Sequence, residues 1–166
     1  MKTEKNVANP APEIVVIGIG NAWRGDDAAG LLVAHALAAR RMRHVRIEER
    51  TSIGPELIDA WRGADAVILV DAVVSGAAPG TVHRIDAHRD ELPVGLTIGS
   101  THAFDLTAII DLARALDNLP GQLLIFGIET SSFEPGQAVS PEVLHSLALC
   151  TDAIVDEIRR LRRSTA

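Results

Sequence analysis

Three short and wholly apolar runs constrain the fold of this chain more than any other feature of its sequence. They span residues 14–17, 66–70 and 123–126. A strand that faces water on one side alternates apolar and polar residues, whereas a parallel strand covered on both faces is apolar throughout. Segments with helical spacing separate the runs, and parallel strands need crossovers of that length. The sequence therefore predicts a three-layer α/β/α sandwich around a mostly parallel, twisted sheet of five or six strands.

Weaker patterns predict the remaining elements. They are a helix from Asp26, its N-cap, to about 41, a short strand 45–48, a short helix 56–62, an edge strand 81–85, a helix that begins at Ser100 and a last helix that begins at Pro141 with Ser140 as its cap. The strands 66–70 and 123–126 should end at Asp71 and Gly127. Residues 86–99 follow no clear pattern, so we expect a surface excursion with little regular structure. The last helix should face the core with Leu144, Leu147, Ala148, Ile154, Val155 and Ile158.

Length and composition indicate one domain. With 166 residues, of which 47% are hydrophobic, the chain can bury one substantial core. We expect a flexible N-terminal tail over residues 1–12 and a single α/β domain over residues 13–162. The formal net charge of −6 argues against a protein that binds nucleic acid, because such a protein needs a basic face.

The cysteine count and the polar start of the chain bear on its compartment. The single cysteine, Cys150, excludes an internal disulfide and a thiolate zinc cage, and its apolar neighbours predict a core position. Residues 1–10 lack the apolar segment of a signal peptide. No apolar run approaches the ~20 residues needed to cross a bilayer. We therefore expect a cytoplasmic protein that makes no membrane contact.

The turn after the first strand, Gly18-Ile19-Gly20, is compatible with a dinucleotide-binding loop. The third glycine of that fingerprint is missing, and Asp26 and Asp27 stand where the next helix begins. Two carboxylates at a helix N-terminus repel a diphosphate, so a cation suits this turn better. A nucleotide- or phosphate-binding α/β enzyme stays open as an alternative.

Three potential metal ligands follow separate elements of the predicted sheet. Asp27 follows the first strand, Asp71 ends the third strand, and His102 lies in the first turn of a helix. Ligands collect at the carboxyl edge of such sheets. A helix N-terminus keeps an imidazole neutral, and the neutral ring is the form that binds metal. Two carboxylates and one imidazole make a mixed oxygen and nitrogen donor set. Solvent-facing or packing roles are expected for the other histidines, His35, His44, His83, His88 and His145.

Three motifs in this order resemble those of the maturation endopeptidases of nickel–iron hydrogenases. The motifs are Gly18-Ile19-Gly20-Asn21 leading to Asp26-Asp27-Ala28-Ala29-Gly30, then Val70-Asp71-Ala72-Val73, then Ser100-Thr101-His102. The similarity continues through Gly127-Ile128-Glu129 and Phe133-Glu134-Pro135-Gly136, so it covers nearly the whole domain. Ala28-Ala29 departs from the glycine-rich continuation common in that family, which affects the helix start and removes no ligand.

The resemblance implies a function and a ligand set. Members of that family are small α/β endopeptidases that remove a C-terminal extension from the hydrogenase large-subunit precursor after nickel insertion. Matched one at a time, the family's nickel-contacting positions fall on Asp27, Asp71 and His102. The nickel is carried by the substrate, and no organic cofactor is implied. The expected partner is therefore a nickel–iron hydrogenase large-subunit precursor, with this chain acting as a monomer.

The residues that break the peptide bond are not identified by the sequence. No Ser-His-Asp arrangement is legible, Cys150 shows no sign of activation, and the His-Glu-x-x-His signature of helical zinc proteases is absent. The catalytic residues therefore stay unassigned. A non-catalytic metallochaperone that recognises nickel with the same three ligands remains a further alternative.

Overall fold

The computed structural model describes residues 11–91, 97–98, 106–131 and 133–164. The strands are β1 (Ile14–Ile19), β2 (Val45–Arg50), β3 (Ala66–Val74), β4 (Val82–Asp86), β5 (Thr97–Ile98) and β6 (Gln122–Glu129). The helices are α1 (Ala29–Ala38), α2 (Glu56–Ala60), α3 (Leu106–Ala115) and α4 (Pro141–Ser164), and a 3₁₀ turn, Gly25–Ala28, precedes α1. None of the described helices combines the length and apolar content needed to cross a bilayer.

The sheet has the order β2-β1-β3-β6-β4, and β5 pairs separately with the end of β3. β1 runs parallel to β2 and β3, and β3 runs parallel to β6. β4 is antiparallel to β6 and forms one edge, as its alternating sequence predicts. The mostly parallel α/β architecture expected from the apolar runs is confirmed.

Alternate residues of the central strands face two separate apolar cores. Val15, Val67 and Ile125 lie in one core, which also contains buried side chains of α2 and α3. Val16 and Ile68 lie in the other core with buried side chains of α1 and α4. Because successive strand residues point to opposite faces, a continuous apolar run is needed to fill both cores. The sheet is thus the middle of three layers.

Glycines bring α1 unusually close to the sheet. A Cβ at Gly18 would lie 2.4 Å from the carbonyl oxygen of Gly30 and 2.6 Å from Cβ of Ala34. A Cβ at Gly30 would lie 2.2 Å from the carbonyl oxygen of Ile19 and 2.3 Å from that of Val70. Real Cβ atoms do not approach this closely, so the contact between helix and sheet requires glycine. This contact fixes the start of α1 beside the carboxyl ends of β1 and β3.

The buried strands are longer than predicted, and the prediction that β3 ends at Asp71 is wrong. β3 continues to Val74 and β6 continues past Gly127 to Glu129. The pairs Asp71↔Gly127 and Val73↔Glu129 keep the ladder intact beyond the apolar runs. A carboxylate and a glycine ended the apolar pattern without ending the backbone pairing. Part of the expected excursion 86–99 is also regular, since β5 pairs antiparallel with β3.

Helix boundaries also differ from the predictions. α1 ends at Ala38, not near residue 41, where Arg41 adopts a φ of 46°. Asp26 does not cap α1, because the N-cap is Ala28 and no side chain bonds the helix start. α2 likewise ends at Ala60, before the predicted residue 62. The predicted start of α3 at Ser100 lies outside the described residues, as do residues 1–10 of the expected tail.

The last helix begins as predicted, but two residues expected on the core face of its first turns are exposed. α4 starts at Pro141, and the amide of Val143 donates to Oγ of Ser140 at 3.4 Å. Ile154, Val155 and Ile158 are buried as expected, whereas Leu144 and Ala148 are exposed. Small polar residues fill part of the buried face, which hydrophobic spacing alone does not reveal. The buried residues of α4 are Val143, Ser146, Cys150, Thr151, Ile154, Val155, Ile158 and Leu161.

Candidate nickel-recognition site

The carboxyl ends of β1, β3 and β6 meet at one edge of the sheet, where ligands bind in folds of this type. β3 runs on to Val74, whereas its last pairing with β1 is at Val70. On the side that β1 leaves, β5 pairs only with Val73 and Val74. Asp71 therefore lies in an interval of β3 that neither β1 nor β5 covers by strand pairing. The strand places its side chain on the face that carries Leu69 and Val73.

Asp71 is a buried acid with one oxygen left without a partner. Asp71 is only 1% exposed. Oδ1 accepts a hydrogen bond from the amide of Ala72 at 2.7 Å. Oδ2 is the one buried side-chain nitrogen or oxygen in the described residues that has no hydrogen-bond partner. Burial of a carboxylate without enough donors is costly, so this atom is suited to a cation.

The charge state of Asp71 reflects both its burial and its neighbour. Burial raises the pKa of Asp71 well above its ordinary value, the amide of Ala72 lowers it, and the negative charge of Asp27 raises it further. Removal from water disfavours the charged form, and a nearby like charge does the same. The 3₁₀ turn that contains Asp27 packs against β3, so the two predicted acids lie close enough for the charge of one to affect the other.

Asp27 reaches this site through a tight turn that requires a glycine. It lies in the 3₁₀ turn before α1 and is 3% exposed. The amide of Asn21 donates to its carbonyl oxygen at 3.1 Å, which closes the turn. Gly20 has a φ of 153°, and a Cβ there would lie 1.9 Å from the same carbonyl oxygen. The glycines that suggested a dinucleotide loop therefore serve close packing and the turn that carries Asp27.

Asp26 braces the turn instead of capping the helix. Its Oδ2 accepts from Oγ1 of Thr130 at 2.6 Å and from Oγ of Ser140 at 3.0 Å. Its Oδ1 accepts from the amide of Ser140 at 2.6 Å. Thr130 directly follows β6, and Ser140 directly precedes α4. One buried carboxylate thereby joins the turn of Asp27 to two other elements at the carboxyl edge.

Glu129 is a further buried acid at this edge, and the sequence interpretation gave it no site role. It accepts hydrogen bonds from the amide and hydroxyl of Ser75, both at 2.8 Å, and from the amide of Gly76 at 3.0 Å. Nε2 of His83 lies 2.9 Å from its Oε2. Burial raises the pKa of Glu129, but these hydrogen bonds outweigh burial and leave the pKa below its ordinary value. Its position after an apolar run was the available signal, as it was for Asp71.

The structure therefore unites two of the three predicted ligands. Asp27 and Asp71 interact at the carboxyl edge, whereas His102 lies outside the described residues and its contact with them stays a prediction. Within residues 11–91, 97–98, 106–131 and 133–164, no group of three histidine, cysteine or acidic residues is placed to hold a metal ion.

The described residues give no indication of an activated nucleophile at Cys150. Its side chain is buried, as predicted, and burial raises the pKa of the thiol to about 12. A thiol with this pKa is protonated at neutral pH and is inert. A cavity of about 550 Å³ lies far from the acids, lined by Asp65, Arg84, Arg160 and neighbours at the amino ends of β3 and β6. The candidate site is therefore formed by the buried acids at the carboxyl edge and not by the residues of this cavity.

Comparisons with known proteins agree on one family. A family model described as hydrogenase maturation protease matches residues 32–157. The hydrogenase 2 maturation protease of Escherichia coli (strain K12) is 30% identical over 155 residues, which cover 91% of this chain and 92% of that protein. The hydrogenase expression/formation protein HupD of Thiocapsa roseopersicina is 31% identical over 137 residues, covering 80% of this chain. The match spans 61% of that relative's length, less than two thirds of it.

Solved structures share the fold. The hydrogenase maturating endopeptidase HybD from E. coli superposes with a TM-score of 0.71 at 23% identity, covering 89% of this chain and 93% of that one. The [NiFe] hydrogenase maturation protease HycI from Thermococcus kodakarensis KOD1 gives a TM-score of 0.70 at 22% identity, covering 90% and 94%. At these identities the superpositions establish the three-layer fold.

Proposed function

Since the chain belongs to the hydrogenase maturation protease family, we propose that it removes the C-terminal extension from a nickel–iron hydrogenase large-subunit precursor after nickel insertion. In this proposal the nickel is part of the substrate, and Asp27, Asp71 and His102 recognise it. No organic cofactor takes part. We place the reaction in the cytoplasm, in keeping with a single cysteine that is buried and forms no disulfide.

The unpartnered oxygen of Asp71 is the observation that supports nickel recognition. Oδ2 is buried and lacks a donor, and Asp27 adds a second negative charge to the same site. A divalent cation would supply the missing partner and remove the repulsion between the acids. Carboxylate oxygens and an imidazole nitrogen are donors that nickel accepts. The residues present therefore fit a metal ion carried into the site by the precursor.

Because the acids are buried, binding of the precursor should depend on whether it carries nickel. Asp27 and Asp71 are 3% and 1% exposed, so water does little to offset a negative charge on either acid. A precursor without nickel provides no cation to offset the charge of the acids, and it should bind less tightly. Each tenfold in selectivity needs only about 1.4 kcal/mol of difference in binding. This requirement would protect other cellular proteins from cleavage.

A cleavage assay with matched variants tests the proposal. The precursor is purified with and without nickel, mixed with the protein, and its C-terminal mass is measured. We expect a short C-terminal peptide to be lost from the nickel-loaded precursor only, and little loss with Asp27→Asn or Asp71→Asn. Asp156→Asn is the control, because Asp156 is an exposed acid of α4 paired with Arg159. The control should cleave at the rate of the parent protein.

The outcomes separate the alternatives. Equal cleavage of the nickel-free precursor would contradict nickel recognition and leave a protease. Tight binding of the nickel-loaded precursor without cleavage would favour a metallochaperone. Neither binding nor cleavage of any precursor would contradict the proposed function as a whole.

A further inference from the structure

Trp23 is the most exposed large apolar side chain among the described residues, with 83% of its surface in solvent. The chain has only one other tryptophan, Trp61, which is buried and donates from Nε1 to the carbonyl oxygen of Asn118 at 3.1 Å. The other exposed large apolar side chains are aliphatic. Trp23 thus stands out as a large, solvent-facing aromatic surface on a protein able to bury such a group.

The turn that carries Trp23 is held in one conformation. The amide of Trp23 donates to Oδ1 of Asn21 at 2.9 Å, and the amide of Arg24 donates to the carbonyl oxygen of Asn21 at 3.2 Å. The amide of Asp27 donates to the carbonyl oxygen of Arg24 at 3.1 Å. Exposure of Trp23 is therefore not the consequence of a loose loop. These bonds define the position of the Trp23 backbone, from which the side chain extends into solvent.

A second set of contacts anchors the same turn from outside. The carbonyl oxygen of Trp23 accepts from the amide of Gly136 at 2.8 Å, and Nε of Arg24 donates to the carbonyl oxygen of Phe133 at 3.3 Å. Asp27 lies four positions after Trp23, and four steps along the chain span at most roughly 14 Å. Trp23 thus lies on a hydrogen-bonded turn within reach of any molecule that brings a metal ion to Asp27.

We propose that Trp23 is a binding residue for the precursor and packs against apolar side chains of the large subunit next to its nickel centre. The proposal rests on the proposed function and assigns to Trp23 a contact with the protein part of the substrate. Tryptophan is the residue type most often found at the energetic centre of protein interfaces, because it buries a large area and has few rotamers to order. The acids would bind the metal, and Trp23 would contact the protein surface around it.

Steady-state kinetics on the nickel-loaded precursor tests this division. We expect Trp23→Ala to raise KM by about ten- to thirtyfold with kcat nearly unchanged, and Trp23→Phe to raise it by less. Leu116→Ala is the matched control, because Leu116 is 58% exposed but follows α3, on the way to the amino end of β6. The control should keep the parent KM. An unchanged KM in Trp23→Ala would overturn the proposal.

A spectroscopic measurement provides a readout that does not depend on turnover. The protein labelled with 5-fluorotryptophan should give two ¹⁹F resonances, and the Trp23→Phe variant assigns them. Unlabelled nickel-loaded precursor should shift or broaden the Trp23 resonance and leave that of Trp61 in place. Cleavage without a change at Trp23 would overturn this proposal and spare the protease function. Absence of both cleavage and any spectral change would overturn both.

Discussion

Asp71 and Glu129 lie on adjacent strands, on the same face of the sheet and near the same edge. They differ in how many hydrogen bonds their carboxylates accept. Both residues are 1% exposed. Glu129 accepts hydrogen bonds from Ser75, Gly76 and His83, and its pKa is lowered. Asp71 accepts one hydrogen bond from Ala72, and its pKa is raised. A buried acid with its donors stabilises a fold, whereas one without them costs stability and indicates a function.

The comparison predicts that the two acids differ most in their effect on catalysis. Asp71→Asn should reduce cleavage of the nickel-loaded precursor by at least about a hundredfold, because even indirect partners of a metal ligand change activity by about 10–100-fold. Glu129→Gln, assayed at a temperature where it is folded, should stay within about tenfold of the parent. The measurement is single-turnover cleavage followed by mass spectrometry. Similar losses in both variants would show that Asp71 has no special role.

For the free energy of unfolding the ranking of the two acids is reversed, and substitution of Glu129 should have the larger effect. Glu129→Gln removes a charge that four described hydrogen-bond contacts stabilise and turns an amide toward the donors of Ser75 and Gly76. Breaking a buried network of this kind costs about 3 kcal/mol. Urea unfolding should show a lower midpoint with an unchanged slope. Asp156→Asn, at an exposed acid of α4 paired with Arg159, is the control and should change the midpoint little. A parent-like midpoint for Glu129→Gln would contradict the assigned structural role.

The sequence predicted the layers of this fold better than the ends of its strands. The apolar runs identified the buried parallel strands, because burial on both faces leaves little freedom in composition. Asp71 and Gly127 ended the apolar pattern, but backbone pairing does not depend on side-chain polarity, so β3 and β6 continued. Asp27 and Asp71 were found because each follows an apolar strand. Their interaction depends on the register of β1 against β3, which composition does not encode.

The residues missed by the sequence interpretation are those whose role depends on distant partners. Asp26 looked like a helix cap, and its actual donors, Thr130 and Ser140, lie more than one hundred positions along the chain. Glu129 carried the same signal as Asp71 but could not be distinguished from it, because the donors of Ser75 and Gly76 come from another loop. Hydrogen-bond satisfaction is a property of the folded chain and decides which buried acid is structural.

The lowered pKa of Glu129 predicts a specific dependence of stability on pH. A carboxyl group whose folded-state pKa is lowered contributes stability that is fully present above its ordinary value of 4.5 and is lost as pH falls through the folded-state pKa. The deficit of Glu129→Gln relative to the parent should therefore be constant at neutral pH and shrink below about pH 4.5. Urea titrations of both proteins between neutrality and acid measure it. A deficit independent of pH would contradict a stabilising charge at Glu129.

The smallest expected effect has the opposite sign and is the most informative about Asp71. A carboxyl group whose folded-state pKa is raised costs stability that builds up as pH rises above its ordinary value of 3.8 and is fully present above the folded-state pKa. Asp71→Asn has no ionisable group at this position and can keep the hydrogen bond from Ala72, so the variant should be more stable at neutral pH by about 1 kcal/mol. For a chain of this length that raises Tm by roughly 2–4 °C. The gain should disappear below about pH 3.8, where the parent carboxyl is protonated in both the folded and the unfolded state. Differential scanning calorimetry at both pH values tests this, with Asp156→Asn as the exposed control. A variant less stable than the parent at neutral pH would mean that Asp71 supports the fold, and the contrast with Glu129 would fail.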